Sequence, residues 1–338
     1  HYQKIRLADD LPRRPGVYFF KDRHEAVFYV GKAKNLRTRV RSYFYGDTRR
    51  RVATMLRELD TIEHRVCRTE LEAEVTELRL IQANAPRHNR RSRPGRTPHW
   101  IKLTDETFPR LSVVRKPGGP GTLLFGPFRG QKAARPVMEA LWDAVPIRRC
   151  TGRPGSRAAL CAPAQLGVAF CPCDGTLGEA EYRPVVDLLL AGVTADPDLL
   201  LRPLAERTGS LAREERFEEA GWLRDRHRSL ARSLERRRAW RALQRAGAVH
   251  AAAGDGSGAA LIERGRLVAA WSDGDHPPLM KLTDPDPSPP PLPLDLADAE
   301  EAHLVWRWLT SGRVRPLEAS GVIAEPRAPV RRLDQVAV

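Results

Sequence analysis

The sequence predicts an α+β protein in consecutive segments. A small domain with a three-stranded antiparallel sheet and flanking helices comes first. A linker and cysteine-rich region, a helical hairpin and a small α/β C-terminal region follow. Three observations predict this. Two short apolar runs, GVYFF from Gly16 and FYV from Phe28, flank a turn at Lys21–Glu25, which is the pattern of a β-hairpin. Later stretches switch to three- and four-residue apolar spacing, the pattern of helices. The composition also changes along the chain, from a basic stretch through a cysteine cluster to a Pro- and Asp-rich stretch.

The chain has 338 residues, enough for two or three domains. Its 57 Lys and Arg oppose 42 Asp and Glu, a formal net charge of +15. Residues 1–96 alone carry 23 basic and 12 acidic side chains, so most of the excess lies there. A basic excess gathered in one domain favours a polyanion partner, most simply nucleic acid, although ribosomal and membrane-surface proteins are basic too. No apolar run approaches the roughly 18 residues of a membrane span, and a secretory signal pattern is not expected. Five cysteines do not suggest a disulfide scaffold; four fall within Cys150–Cys173, which points to a reduced compartment and a metal.

Residues 1–10 read as a polar lead-in, and the hairpin and a basic helix fill 15–45. Gly31 ends the second strand. Asn35 is a good N-cap, and Leu36, Val40 and Phe44 form a buried stripe at four-residue spacing. Arg37 and Arg41 share one flank of that stripe, and Arg39 and Tyr43 share the other. These arginines read either as solvated surface or as phosphate contacts. Tyr18, Tyr29, Lys32 and the helix arginines together form a kit for holding and attacking a phosphodiester. A second helix covers Arg49–Leu59, burying Val52, Met55, Leu56 and Leu59. Thr61–Arg68 reads as a third strand. Thr69 and Glu72 form a capping box for a helix running to about Asn84. On that helix Glu72, Thr76 and Arg79 lie on the solvent arc, whereas Glu77 aligns with Ala73 and Ile81. A carboxylate among apolar neighbours needs a partner, either a salt bridge or a bound cation.

The string LPRRPGVYFF…FYVGKAKNLRTRVRSYF resembles the GIY-YIG nucleases, and more closely the N-terminal, 3′-incising half of UvrC, the bacterial excision-repair nuclease. The resemblance implies that Tyr18, Tyr29, Lys32, Arg39, Tyr43, Glu77 and Asn89 form the catalytic set. Glu77 would hold Mg²⁺ or Mn²⁺, and the string ELRLIQANAPRHN supplies both Glu77 and Asn89. Tyr29 would be the general base, its ionisation favoured by Lys32 and the metal, although the sequence leaves open which tyrosine takes the proton. Tyr18 would share its network, and Arg39 would clamp the phosphate. Lys34, Arg37, Arg41, Arg87, Arg90 and Arg91 are candidate DNA contacts, the last three in a basic loop of five arginines over Arg87–Arg96.

Strands are expected within Pro98–Arg115, and an FGPF segment follows; this block also resembles the segment after the UvrC nuclease domain. Cys150, Cys161, Cys171 and Cys173 read either as a metal site or as buried thiols. The resemblance implies a 4Fe-4S cluster here, with Cys150, Cys161 and Cys173 in register, Ala169 at the third position and Cys171 two residues on. Glu179–Ala191 and Pro197–Arg238 are helical. Glu214–Leu230 resembles the UVR motif through which UvrC docks on UvrB, with Phe217, Ala220 and Leu223 as apolar contacts; a plain helical pair is the other reading. Beyond Trp240 the guide weakens. Ala259–Trp271 reads as two strands, Asp273–Leu294 as a Pro-rich loop and Ala297–Leu309 as a helix. The acidic constellation of the second UvrC nuclease is not found there.

The expected divisions are 1–97 (nuclease), 98–148 (linker), 149–175 (cysteine-rich), 176–240 (helical) and 241–338 (α/β, role open). The resemblance implies damaged double-stranded DNA as substrate and a cytoplasmic location. A catalytically silent DNA-binding or UvrB-docking adaptor is the alternative. Single-incision homologues of the Cho type and actinobacterial DEDD exonuclease–UvrC-like fusions are similar; the His1 start suits the C-terminal half of such a fusion.

Overall fold

The computed structural model describes residues 2–45, 50–90, 92–117, 123–157, 159–256, 258–272, 293, 295–323, 330, 331 and 333. The chain divides into two compact units. One comprises residues 1–96, 239–291 and 295–324; the other comprises 97–238, 292–294 and 325–338.

The first unit begins with α1 (Tyr2–Asp9), β1 (Gly16–Lys21), β2 (Val27–Ala33), α2 (Leu36–Phe44), α3 (Arg50–Glu58), β3 (Thr61–Val66) and α4 (Glu70–Asn84). The expected polar lead-in is therefore helical. Ala8 and Leu11 are buried, and the Lys4 ammonium donates to the carbonyls of Leu56 and Arg57 at the end of α3. The sheet order is β2-β1-β3 with both pairings antiparallel, so Tyr18 faces Gly31 on one side and His64 on the other. Side chains from β1, β2, α2 and α3 close one core, including Phe20, Phe28, Leu36, Val40, Val52 and Met55. Each such burial contributes about 1.5–3 kcal/mol.

The caps obey local chemistry. The Asn35 side chain accepts from the Thr38 N–H at 3.0 Å, and Thr69 accepts from the Glu72 N–H at 3.0 Å. The Glu72 carboxylate takes the Arg68 N–H, one residue before the expected reciprocal partner. α4 ends at Ala85 in the left-handed conformation.

The second unit contains β4 (His99–Leu103), β5 (Leu111–Val114) and β6 (Leu124–Phe128) in the order β5-β4-β6. Helices α5 (Gln131–Ala144), α6 (Ala162–Gln165), α7 (Glu179–Thr194) and α8 (Asp198–Arg213) follow. α9 (Phe217–Ala246) leads from this unit back into the first.

There the chain adds β7 (Ala248–Ala253), β8 (Ala259–Glu263), β9 (Arg266–Trp271), α10 (Leu296–Leu309) and β10 (Val314–Ala319). Their antiparallel order is β10-β7-β8-β9. The β8–β9 turn places Arg264 and Gly265 both at positive φ (47° and 87°), as a tight two-residue hairpin requires. The Pro-rich loop expected at 273–294 falls almost wholly outside the described residues. α4 is shared between two cores. Ala73 and Ile81 pack with Val17 and Val30 of the first sheet, while Leu71 and Val75 pack with Val249, Ile262, Leu267 and Val305 of the C-terminal elements. No described helix is long and apolar enough to cross a membrane.

Candidate functional site

Three tyrosines from three elements converge on one point. Tyr18 extends from β1, Tyr29 from β2 and Tyr43 from α2. The Tyr43 hydroxyl lies 2.7 Å from that of Tyr18 and 3.2 Å from that of Tyr29, so it joins the two strand phenols in one hydrogen-bonded chain. Gly31 is what admits Tyr18: a Cβ there would collide with the Tyr18 hydroxyl and the ring carbon that bears it. Burial, and then the neighbouring phenols, push Tyr18 well above its ordinary pKa. Burial first and Tyr43 second also push Tyr29 up, and Glu77 adds to the shift. The sequence reading has Lys32 favouring ionisation of Tyr29. Here the Lys32 ammonium pairs with Glu74, and the surroundings hold the phenol in its neutral form.

Glu77 faces this cluster from α4; among the described residues its carboxylate enters no ion pair and accepts from the Lys32 backbone N–H. Its carboxyl is raised from the usual value because burial outweighs the favourable Lys32 charge, the Lys32 backbone N–H and the Arg39 charge. A half-buried carboxylate in no ion pair among the described residues, set beside neutral phenols, fits the single-carboxylate anchoring that Mg²⁺ accepts. Arg39 lies with its guanidinium carbon 4.9 Å from the Tyr43 ring centroid, on an exposed flank. The side chain of Asn89 clips onto β2 twice. Its Oδ1 accepts the Val30 N–H and its Nδ2 donates to the Val30 carbonyl, both at 2.9 Å, between Tyr29 and Gly31. All seven catalytic candidates thus belong to the same unit, on β1, β2, α2, α4 and the segment after α4. Sequence reasoning missed Glu74, which stands three residues before Glu77 on α4 and holds Lys32; that spacing was the available signal.

The DNA-contact candidates separate. Arg37 donates to the Leu11 carbonyl at 2.7 Å, and Arg87 pairs with Asp22 and Glu58 while stacking on Phe28. These two guanidiniums serve the fold. Lys34 pairs with Glu70 and Arg41 with Asp9, both at exposed positions where such pairs exchange readily with other anions. Arg90 is exposed, and Arg91 lies outside the described residues. Arg79, expected on the solvent arc, turns to α10 instead. It pairs with the buried Glu301 at 2.6 Å and donates to the Leu267 carbonyl at 2.7 Å.

In the second unit the four sulfur atoms of Cys150, Cys161, Cys171 and Cys173 all lie within 4.8 Å of one another, so Cys171 joins the group despite its shifted position. α8 and α9 follow one another across the short segment 214–216, and both contribute to the same core. Ala220 and Leu223, expected as outward contacts, are buried in their own unit's core, whereas Phe217 (68% exposed) and Trp222 (62% exposed) face outward. The apolar spacing could not separate the inner face of these helices from their outer face.

Residues 14–90 match the UvrC-like GIY-YIG domain, and residues 99–191 match the middle domain of the UvrC/Cho excinucleases. A putative bifunctional exonuclease/endonuclease protein of Mycobacterium tuberculosis is 36% identical, over 96% of this chain and 52% of that one. The UvrABC system protein C of Syntrophus aciditrophicus is 36% identical, over 68% of this chain and 38% of that one. The chain therefore spans about half, or less, of the length of these curated relatives. The solved N-terminal GIY-YIG endonuclease domain of UvrC from Thermotoga maritima, bound to its catalytic magnesium, is 38% identical; it covers 26% of this chain and 97% of that one, with a TM-score of 0.24.

Proposed function

The chain is a member of the UvrC type of GIY-YIG proteins, and on that premise we propose that it is a metal-dependent DNA endonuclease of nucleotide excision repair. The observation that carries this reading is the linked Tyr18–Tyr43–Tyr29 chain beside Glu77, a carboxylate without an ion pair among the described residues, with Arg39 on the adjoining flank.

In this reading Glu77 holds Mg²⁺ or Mn²⁺, which when bound neutralises phosphate charge and stabilises the leaving oxygen. Tyr29 would be the general base toward water, its ionisation favoured by a bound cation because its own surroundings hold it neutral; it is only partly buried, whereas Tyr18 is 1% exposed. Tyr18 and Tyr43 fix the direction of its hydroxyl. Arg39 clamps the scissile phosphate and opposes the charge that develops there. Lys32, held by Glu74, adds positive potential beside Glu77, and Asn89 keeps β2 in register under Tyr29. Lys34, Arg41 and Arg90 are the backbone contacts this reading retains. Incision on the 3′ side of a lesion, and docking on UvrB through Glu214–Leu230 with Phe217 and Trp222 outward, follow the family analogy.

Strand nicking of a lesion-bearing duplex tests the reading, run with Mg²⁺, with and without UvrB, for wild type and Glu77→Ala. Metal-dependent nicking that disappears in the variant is expected. Nicking that survives Glu77→Ala removes the metal assignment. Intact DNA binding with no nicking by wild type favours a docking adaptor.

A further inference from the structure

We propose that Cys150, Cys161, Cys171 and Cys173 hold one zinc ion rather than the four-iron cluster that the family resemblance implies. The inference does not rest on the nuclease reading.

The spacing of the sulfurs decides between the two groups. A tetrahedral zinc site with bonds of about 2.3 Å sets its four thiolates about 3.8 Å apart. A cubane puts each thiolate on a different corner iron, which spreads the sulfurs to roughly 6 Å. Here no pair exceeds 4.8 Å, so every pair is closer than a cubane would set it, and the quartet reaches one ion by contraction.

The chain around the sulfurs agrees. The resemblance places its third cysteine at Ala169, which is apolar and buried within the cluster. The replacement, Cys171, is separated from Cys173 by the single residue Pro172, and this short spacing brings two thiolates close together. Two sulfurs also receive donors suited to thiolates: the Arg148 Nε–H reaches the Cys150 sulfur at 3.5 Å, and the Cys161 N–H reaches the Cys173 sulfur at 3.4 Å. Four sulfurs fill a zinc coordination sphere and leave no open position, which marks a structural site.

Such a site has a structural task here. Between α5 and α7 the described chain forms only the single turn of α6, and the cluster's other apolar members are Ala164 and Ala169. A short loop-rich segment with so little apolar mass needs a cross-link, and zinc supplies one.

The test is metal analysis of the intact chain purified without oxygen from cells supplied with both iron and zinc. About one zinc per chain, no acid-labile sulfide and no absorption band near 400 nm are expected. Replacing zinc with Co²⁺ should give the visible bands of a tetrahedral thiolate site, and Cys171→Ser should lose zinc to a chromogenic chelator at least tenfold faster. Iron at one or more per chain in place of zinc overturns the proposal. So does a metal-free protein whose four thiols all react under native conditions. The wild-type metal content decides even if Cys171→Ser fails to fold.

Discussion

The two sheets of the first unit lie against the same helix and treat its charges in opposite ways. Towards β2-β1-β3, α4 presents Ala73, Ile81 and Glu77, and Glu77 has no ion pair among the described residues. Towards β10-β7-β8-β9 and α10, it presents Leu71 and Val75, and there Arg79 finds Glu301 and the Leu267 carbonyl. Glu74 sits between the two, gripped by Lys32 from β2 and by Arg307 from α10. A carboxylate beside a fold-building sheet is neutralised. The carboxylate beside three phenols has no ion pair among the described residues, and the proposed cation would sit there. The helix that bears Glu77 is therefore held in place by elements some 200 residues away in sequence, since Arg79 and Glu301 are 222 apart.

The largest effect separates the two faces most cleanly. Glu77→Gln should lower nicking by at least about 10³-fold, since the ligand charge is gone. The cation-free protein should nevertheless gain stability at neutral pH. The Glu77 carboxyl is raised in the folded state, chiefly by burial. Its contribution is therefore full below the unfolded carboxyl value of about 4.3 and is lost as pH rises through the folded value. Melting curves without divalent cations should show wild type falling relative to Glu77→Gln as pH rises through that window, with Mg²⁺ restoring only wild type. Parallel curves would mean that Glu77 is not desolvated.

On the other face the outcome should invert. Glu301 is 4% exposed and accepts from Arg79 and from the Leu267 N–H. Glu301→Ala strands both donors. Arg79 is half exposed and recovers part of the loss in water, so the cost should be about 2 kcal/mol. Denaturant unfolding should register it, while kcat well below the melting temperature should change by less than about threefold. A large loss of kcat would show that the clamp sets the geometry of Glu77. Tyr43→Phe is smaller in stability, about 1 kcal/mol, because it removes the 2.7 Å hydrogen bond of the buried Tyr18 hydroxyl. Nicking should fall about tenfold, the usual scale for loosening a general base.

The same comparison explains what could be read in advance. The first sheet was legible because its signals are local: the GVYFF and FYV runs, the Asn35 and Thr69 caps, and Glu77 standing between Ala73 and Ile81. The C-terminal sheet was half legible. The β8–β9 hairpin and α10 carry ordinary periodicity, but β7 reads AVHAAA, and alanine has little strand preference, so burial between neighbours decides its state. β10 contains Pro316 and four exposed residues, and shows itself only through pairing with β7. Arg79 looked solvated because its partner lies 222 residues on, and no local pattern carries that information. The fate of Arg37 and Arg87 was hidden for a related reason. Their acceptors lie 26 and 29 or more residues away and become neighbours only once the sheet has formed.

The smallest effect probes the boundary between the faces. Arg307 approaches Glu74 at 2.5 Å from α10, and Glu74 in turn fixes Lys32. Arg307 is 56% exposed, so Arg307→Ala should cost no more than about 0.5 kcal/mol, and less as salt rises. Glu74 would then lean wholly on Lys32 and reduce the positive potential it offers beside Glu77. The expected result is a two- to threefold rise in the Mg²⁺ concentration needed for half-maximal nicking at low salt, with kcat unchanged. No shift at all would confine Glu74 to one sheet. A loss of tenfold or more would mean that the C-terminal elements contribute to the chemistry itself, and the division between a reactive face and a holding face of α4 would have to be abandoned.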